Sequence, residues 1–599
     1  MPDPAPGGDF RGHPPTPGLA AVWKHLVHRL MLTRKRRRGF TLLGWRTFVF
    51  LGVALLLPLL LIVSVTTSTT TVAQEGGEHV EGIVGSPMYM NPLLSTFNEA
   101  DKDLAYLVFS GLTRINEKGE PLPDLARDWT ISADGLAYTF RLRNGVAWHD
   151  GTPFSAQDVL FTIQTIQKPD FPGSPDLANV WTGVKADKVD DFTIRFTLPE
   201  PNSPFLAQTS VGILPSHILG KVPTAELTKN PFNLNPVGTG PFKVTEATAQ
   251  TVVLEAVPTY HLGAPYLSRI TFDFFPTQET LARALQEKKV ASAPLRSPLA
   301  ADLAALEKDQ SLHLYRGPRF SYELVFLNLS DPLFKEREVR QALAYATDRQ
   351  KIIQNDAEGQ GIPADTPILP GTWAYENGAK KYEYSPDRAR SVLDGAGWKP
   401  GPDGIREKGG ARLKFSLFTD NSPRRVKIAE DLSREWNAVG IKAEVASSGA
   451  SGLVQNFLLP RRYQAALLGL VLGPDPDPYP TWHSSQKEGT GYNFSGLSDP
   501  KIDDLLARAR RSNDQADRAK LYAEFQKAFA DQVPGLLLYY PYYYYAINKD
   551  IKGVEVGNFF EGSDRFRNIT EWYVKTKTVE AKGSLLDRVL AWGRDLARR

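Results

Sequence analysis

Chemistry is most concentrated in Gly473–Ala509, GPDPDPYPTWHSSQKEGTGYNFSGLSDPKIDDLLARA. Proline at 474, 476, 478 and 480 fixes φ on alternate residues and removes their backbone donors, so this loop cannot be the interior of a strand. It presents Asp475, Asp477, Tyr479 and Trp482 as a pre-ordered array of two acids and two rings, with Tyr492 and Asn493 following. Such a set suits holding a ligand: carboxylates accept from an ammonium group, and flat rings cover apolar side chains. The plainer reading makes the acids turn or cap residues and the rings core. A basic counterpart stands at Arg424 and Arg425, with Lys427 nearby, at the start of a helical stretch. A guanidinium offers a carboxylate a two-pronged fork, whereas lysine is a point charge.

Catalytic constellations are missing from the sequence. It has no H-E-x-x-H and no G-x-S-x-G, its nine histidines are scattered, and it has no cysteine. Zero cysteine in 599 residues also excludes disulfides, Cys-ligated zinc and a lipid-modified N-terminal cysteine. Gly238-Thr-Gly240 is followed by alternating strand, turn and strand rather than by a helix, so it reads as a tight turn and not as a phosphate loop. Asp150 and Asp158 are assigned to turn and capping duty. The chain is expected to be neither an enzyme nor a cofactor protein.

The elements that would position the loop follow from periodicity. Leu136–Arg143 alternates as a strand, and Ser155 with Asp158 forms a capping box at the head of a helix. Tyr322–Leu329 is strand-like, with Tyr322 near its start, and a helix is expected from Pro332 to Ile353. Leu413–Leu417, Pro423–Val439 and Ile441–Val445 read as strand, helix and strand, hence a parallel pair with a right-handed crossover. Further helix is expected over Leu505–Ala530, and a strand over Gly535–Ile547 with its run of tyrosines.

At the other end, Thr47–Val65 is an uncharged run of nineteen residues preceded by Arg34–Arg38, RKRRR. That length spans a bilayer, and the basic flank places the N-terminal side in the cytoplasm. The run is longer than a usual signal h-region and stands behind a 46-residue leader, which favours a retained anchor over a cleaved signal, with Thr71-Val-Ala73 the competing cleavage site. The leader carries a net +7 of the chain's +3, so the rest is acidic and nothing in composition points to nucleic acid. Residues 66–78 read as a polar tether, and 584–599 as an amphipathic helix.

Four stretches, 107–163, GTGPFKV at 238–244, 326–353 and 473–509, fall in an order that resembles the extracellular solute-binding proteins of the dipeptide, oligopeptide and nickel class that serve ABC importers. The resemblance implies an α/β, two-lobed periplasmic-binding-protein-like type II fold with an extra subdomain in lobe I, preceded here by one transmembrane helix. It places lobe I at 79–317 with the subdomain within about 105–235, lobe II at 318–538, and a return to lobe I at 539–577, followed by the tail at 578–599. It implies a peptide ligand between the lobes, an ABC permease as partner, an amino terminus held by Asp475 or Asp477, and a carboxylate held by Arg424 or Arg425. The expected ligand contacts are Asn91, Tyr322, Arg424, Arg425, Asp475, Asp477, Tyr479, Trp482, Tyr492 and Asn493. Oligosaccharides and metal chelates are the alternative cargoes, and a solute sensor or a secreted hydrolase the alternative functions.

Overall fold

The computed structural model describes residues 50–58, 69–296, 298–489 and 491–580. The expected leader and the tail helix at 584–599 lie outside the described residues, as do 47–49 and 59–65 of the expected membrane span. Residues 50–58 are helical. Among the described residues no helix is long and apolar enough to cross a membrane. Thr69–Gln74, within the stretch read as a tether, is a strand paired with Lys575–Glu580.

Residues 73–576 form one compact unit built on a twelve-stranded sheet. At its centre runs Gly535–Asn548, fourteen residues long and almost wholly buried. Its first half pairs with Ser321–Leu327, beyond which lie Ala465–Val471, Lys414–Asp420 and Lys442–Ser448. Its second half pairs with Leu312–Pro318 and Ser292–Leu295, beyond which lie Glu78–Val84, Arg269–Phe275, Thr251–Ala256 and Phe242–Ala247. The sheet therefore serves two lobes with separate apolar cores, and the chain passes between them twice, at 318–321 and within Gly535–Asn548. Lobe I carries a further four-stranded antiparallel sheet from Ala126–Ile131, Ala137–Leu142, Lys185–Asp190 and Thr193–Thr197, covered by the helix Ala156–Ile166.

Local chemistry accounts for much of this. Ser155 and Asp158 make the reciprocal capping box. Lys414–Asp420 and Lys442–Ser448 are parallel neighbours on either side of the helix Pro423–Asn437, as a right-handed crossover requires. Gly238 sits against helix Glu99–Val108, where a Cβ would lie 1.8 Å from the Val108 carbonyl oxygen, so only glycine fits. His149 closes that turn, accepting from the Gly238 amide at 3.2 Å, and burial pulls its pKa down to about 4.

The helix expected over 332–353 is three short ones, Pro332–Lys335, Arg337–Tyr345 and Arg349–Asn355. Glu336 leaves helical geometry, and its carboxylate accepts from Trp398 at 3.1 Å and from Lys408 at 2.8 Å, a tertiary demand that outweighs helix propensity. The stretch 505–530 likewise divides into Pro500–Arg511 and Gln515–Gln532, because Asp499 and Asp514 each cap a new helix.

Lobe I is tied together by a sealed charge cluster. Arg565 donates to Glu81 at 2.9 Å and to Asp103, and all three side chains are essentially without exposure. Tyr545 from the central strand also donates to Glu81, at 2.9 Å, so the cluster joins the first strand of the lobe, the helix Glu99–Val108 and the last return of the chain.

Candidate functional site: the cleft between the lobes

In an open twisted sheet, ligands settle beyond the carboxyl ends of the strands. In lobe II that edge is formed by Ala465–Val471 and the proline-rich loop after it. Ala465–Val471 pairs along its whole length with Ser321–Leu327, but on its other side with Lys414–Asp420 only at Ala465–Leu467. The Leu472 amide donates to Phe320 on the Ser321 side. Successive residues of a strand alternate, so the backbone groups of Gly469 and Val471 point the other way, where no described strand pairs with them. Val471 is 60% exposed. Three residues on, Pro474 meets lobe I: a Cβ on Gly119 would lie 2.6 Å from its carbonyl oxygen.

The lobes touch on both flanks of this edge. On one, the Tyr492 hydroxyl donates to Asp176 of lobe I, and the Ser203 amide donates to the Arg510 carbonyl at 2.8 Å. On the other, Gln360 donates to the Pro298 carbonyl at 2.6 Å, and the Ala300 amide to Glu358 at 2.8 Å. A cavity of about 500 Å³ lies on the lobe I side, with Tyr106, Arg114, Tyr260 and Phe566 in its wall and Pro474 closing it from lobe II.

Both loop acids are already paired. Asp475 holds Arg518 in a two-pronged bond of 2.6 and 2.8 Å, with both side chains largely buried. Burial pushes the Asp475 carboxyl up against the pull of Arg518. Burial also works against the Arg518 charge, yet the carboxylate holds that guanidinium above its ordinary value. Asp477 pairs with Arg510 at 2.7 Å and accepts from the Tyr479 amide at 3.1 Å. Arg510 in turn lies 4.1 Å over the Tyr479 ring, which also stacks on His483 at 4.0 Å. The loop is thus bolted to the helices Pro500–Arg511 and Gln515–Gln532 by two arginines that sequence reasoning missed. They stand 33 and 43 residues from their partners and show no spacing relation to the loop.

The remaining expected contacts divide by burial. Trp482 has no exposed surface: the short helix Tyr479–Trp482 turns its ring into the core against Phe326 and Phe529. Tyr322 is equally buried, edge-on to Tyr540. Asn493 is spent on a turn, donating to His483 and Leu497 carbonyls and accepting from the Leu497 amide. Asn91 accepts from the Leu93 amide at 3.0 Å in its own turn. Arg425 is held by Glu323 through two bonds of 2.8 Å and by Asp420. Although burial works against its charge, these two carboxylates raise the Arg425 pKa well above its ordinary value. Arg424 hydrogen-bonds Tyr539 on the central strand. Lys427 pairs with Asp356. Tyr479 and Tyr492 keep partial exposure.

Among the described residues no group of three His, Asp or Glu side chains is placed to hold a metal ion. The site can enclose a solute between two surfaces.

Residues 120–492 match the family model of the bacterial extracellular solute-binding proteins, family 5. The oligopeptide-binding protein AppA of Bacillus subtilis is 31% identical over 511 residues, spanning 84% of this chain and 92% of that one. Its structure in complex with a nonapeptide superposes with a TM-score of 0.68, covering 84% of this chain and all of AppA. The dipeptide-binding protein of Escherichia coli is 27% identical over 518 residues, with 81% and 93% covered. NikZ of Campylobacter jejuni, solved with Ni(L-His), is 30% identical at a TM-score of 0.66, covering 83% of this chain and 99% of NikZ. The two lobes, the twofold crossing between them and these matches lead to one assignment: the chain belongs to the family 5 extracellular solute-binding proteins.

Proposed function

We propose that this chain is the receptor subunit of an ABC importer, capturing peptides between its lobes and delivering them to a permease while residues 47–65 hold it to the membrane. The observation that carries the peptide reading is the free backbone edge at Gly469 and Val471. An extended peptide pairs its own amides with such an edge whatever its side chains, which is strand addition. AppA, solved with a nonapeptide, supports the same reading.

The charge pairing changes the detail of recognition. Asp475 and Asp477 act on the ligand through the loop they brace, with Arg518 and Arg510 as their counter-charges. Arg425 is likewise compensated by Glu323 and Asp420. Recognition therefore rests on backbone pairing, with Tyr479 and Tyr492 as side-chain contacts at the lobe boundary. Binding closes the lobes because a ligand touching both stabilises the closed arrangement over the open one.

Native mass spectrometry of the full-length protein, purified without denaturation, tests this. A co-purifying heterogeneous set of short peptides is the expected result. A bound sugar or metal chelate would overturn the peptide cargo and keep the receptor. An empty protein whose melting temperature is unmoved by peptide and sugar libraries would overturn the receptor reading.

A further inference from the structure

Beside the first crossing between the lobes, next to the Lys102 and Glu561 wall of the cavity, two guanidinium groups outnumber their nearest carboxylate. Arg296 stands just beyond the carboxyl end of strand Ser292–Leu295, and Arg319 lies in the first crossing between the lobes, its amide donating to the Pro541 carbonyl at 2.8 Å. Both guanidinium groups converge on one carboxylate: Glu99 pairs directly with Arg296 and stands 4.0 Å from Arg319. The neighbouring Lys102 and Glu561 cancel one another at 2.6 Å. Two cations therefore share one anion. The Arg296 Nε is buried with no hydrogen-bond partner, while the two arginine side chains keep 38% and 33% of their exposure. Burial, reinforced by the neighbouring Arg319 and only partly offset by Tyr543 and Glu561, lowers Arg296 to about 10. Holding like charges together in a partly desolvated place is unfavourable unless a further anion arrives.

We propose that Arg296 and Arg319 form an anion subsite that seats a carboxylate of the bound solute at the hinge. This rests on the receptor reading and adds to it a preference that backbone pairing cannot supply. Guanidinium forks suit a carboxylate, and a carboxylate between these two completes a two-plus-two set with Glu99. In a peptide the carboxylate is either the C-terminus or an Asp or Glu side chain.

The test uses the full-length protein and an equimolar set of alanine-based pentapeptides, read by native mass spectrometry. The set holds one peptide with a free C-terminus, its C-terminal amide, and the amide with a central aspartate. Wild type is expected to favour a carboxylate-bearing member over the neutral amide by about tenfold or more. The free acid and the aspartyl amide tell the two sources apart. Arg319→Gln is expected to erase the preference while still binding the neutral amide, and without ligand to melt no lower than wild type, since it relieves repulsion. Equal binding of all three peptides by wild type would overturn the subsite and leave the receptor reading standing. A lowered melting temperature of ligand-free Arg319→Gln would also overturn it, by making Arg319 a structural partner of Glu99. If wild type binds none of the peptides, that cargo fails, and glutarate then decides the subsite by itself. Stabilisation of wild type but not of Arg319→Gln supports it, and the same response in both overturns it.

Discussion

Two arginine–carboxylate clusters, one inside lobe I and one at the hinge, have opposite arithmetic. Around Arg565, one guanidinium faces two carboxylates, Glu81 and Asp103, and none of the three reaches solvent. At the hinge, two guanidinium groups face one carboxylate, Glu99, and all three side chains stay about a third exposed. The first is closed on itself, with Tyr545 and Ser292 also donating to Glu81 and His79 beside it at 3.2 Å. The second is open, and its missing member is an anion. A charged group that is sealed and matched holds a fold together, whereas one left over at a lobe boundary is available to something that comes and goes.

This contrast breaks first at Arg565. Arg565→Met strands two buried carboxylates and is expected to cost about 3–5 kcal/mol, enough to threaten folding, as read by chemical denaturation. A loss under 1 kcal/mol would remove the distinction between the clusters. Asp475→Asn asks whether the loop of lobe II belongs with the sealed class. Arg518 would lose its counter-charge, for an expected cost of roughly 3 kcal/mol. The variant should weaken peptide binding only as far as the loop loosens.

A smaller effect separates the two acids inside the sealed cluster. Burial raises Glu81, but Arg565 and His79 outweigh it and hold its carboxyl below the ordinary value. Its contribution to stability is therefore present above the ordinary carboxylate range and lost as pH falls through the lowered value. For Asp103 burial wins over Arg565, so its native state keeps a proton to higher pH and loses stability as pH rises through the raised value. As pH rises through the ordinary carboxylate range, about pH 4, Glu81→Gln should gain less stability than wild type and Asp103→Asn should gain more, measured as melting temperature against pH. The same direction in both variants would contradict the assignment. The smallest expected change is at the hinge, where ligand-free Arg319→Gln should melt at the wild-type temperature or up to about a degree above it.

Much of the fold could be read from the sequence because its signals are local. The capping box at Ser155, the strand–helix–strand of 414–448 and the glycine turn at 238 each depend on residues a few positions apart. The break at Glu336 could not be read that way, since its partners Trp398 and Lys408 lie more than sixty residues on. The site follows the same division. Asp475 and Asp477 were visible as acids in a stiff loop, but their pairing with Arg518 and Arg510 is decided by how two later helices pack. Trp482 looked like a cleft aromatic because loop context says nothing of direction. The structure turns it inward, leaving Tyr479 and Tyr492 as the partly exposed rings of that loop. Arg296 and Arg319 had no motif at all, because a surplus of charge exists only once neighbours are counted in space.

The central strand Gly535–Asn548 has a mechanical consequence. It is hydrogen-bonded into both lobes, so it works as a torsion bar rather than a loose joint: turning one lobe against the other must wind this rod. Its weak point is Pro541, which has no amide to donate and whose carbonyl is held by the Arg319 amide. If the lobes close as proposed, twist concentrated there would carry Arg319 with it, because its amide is tied to the Pro541 carbonyl.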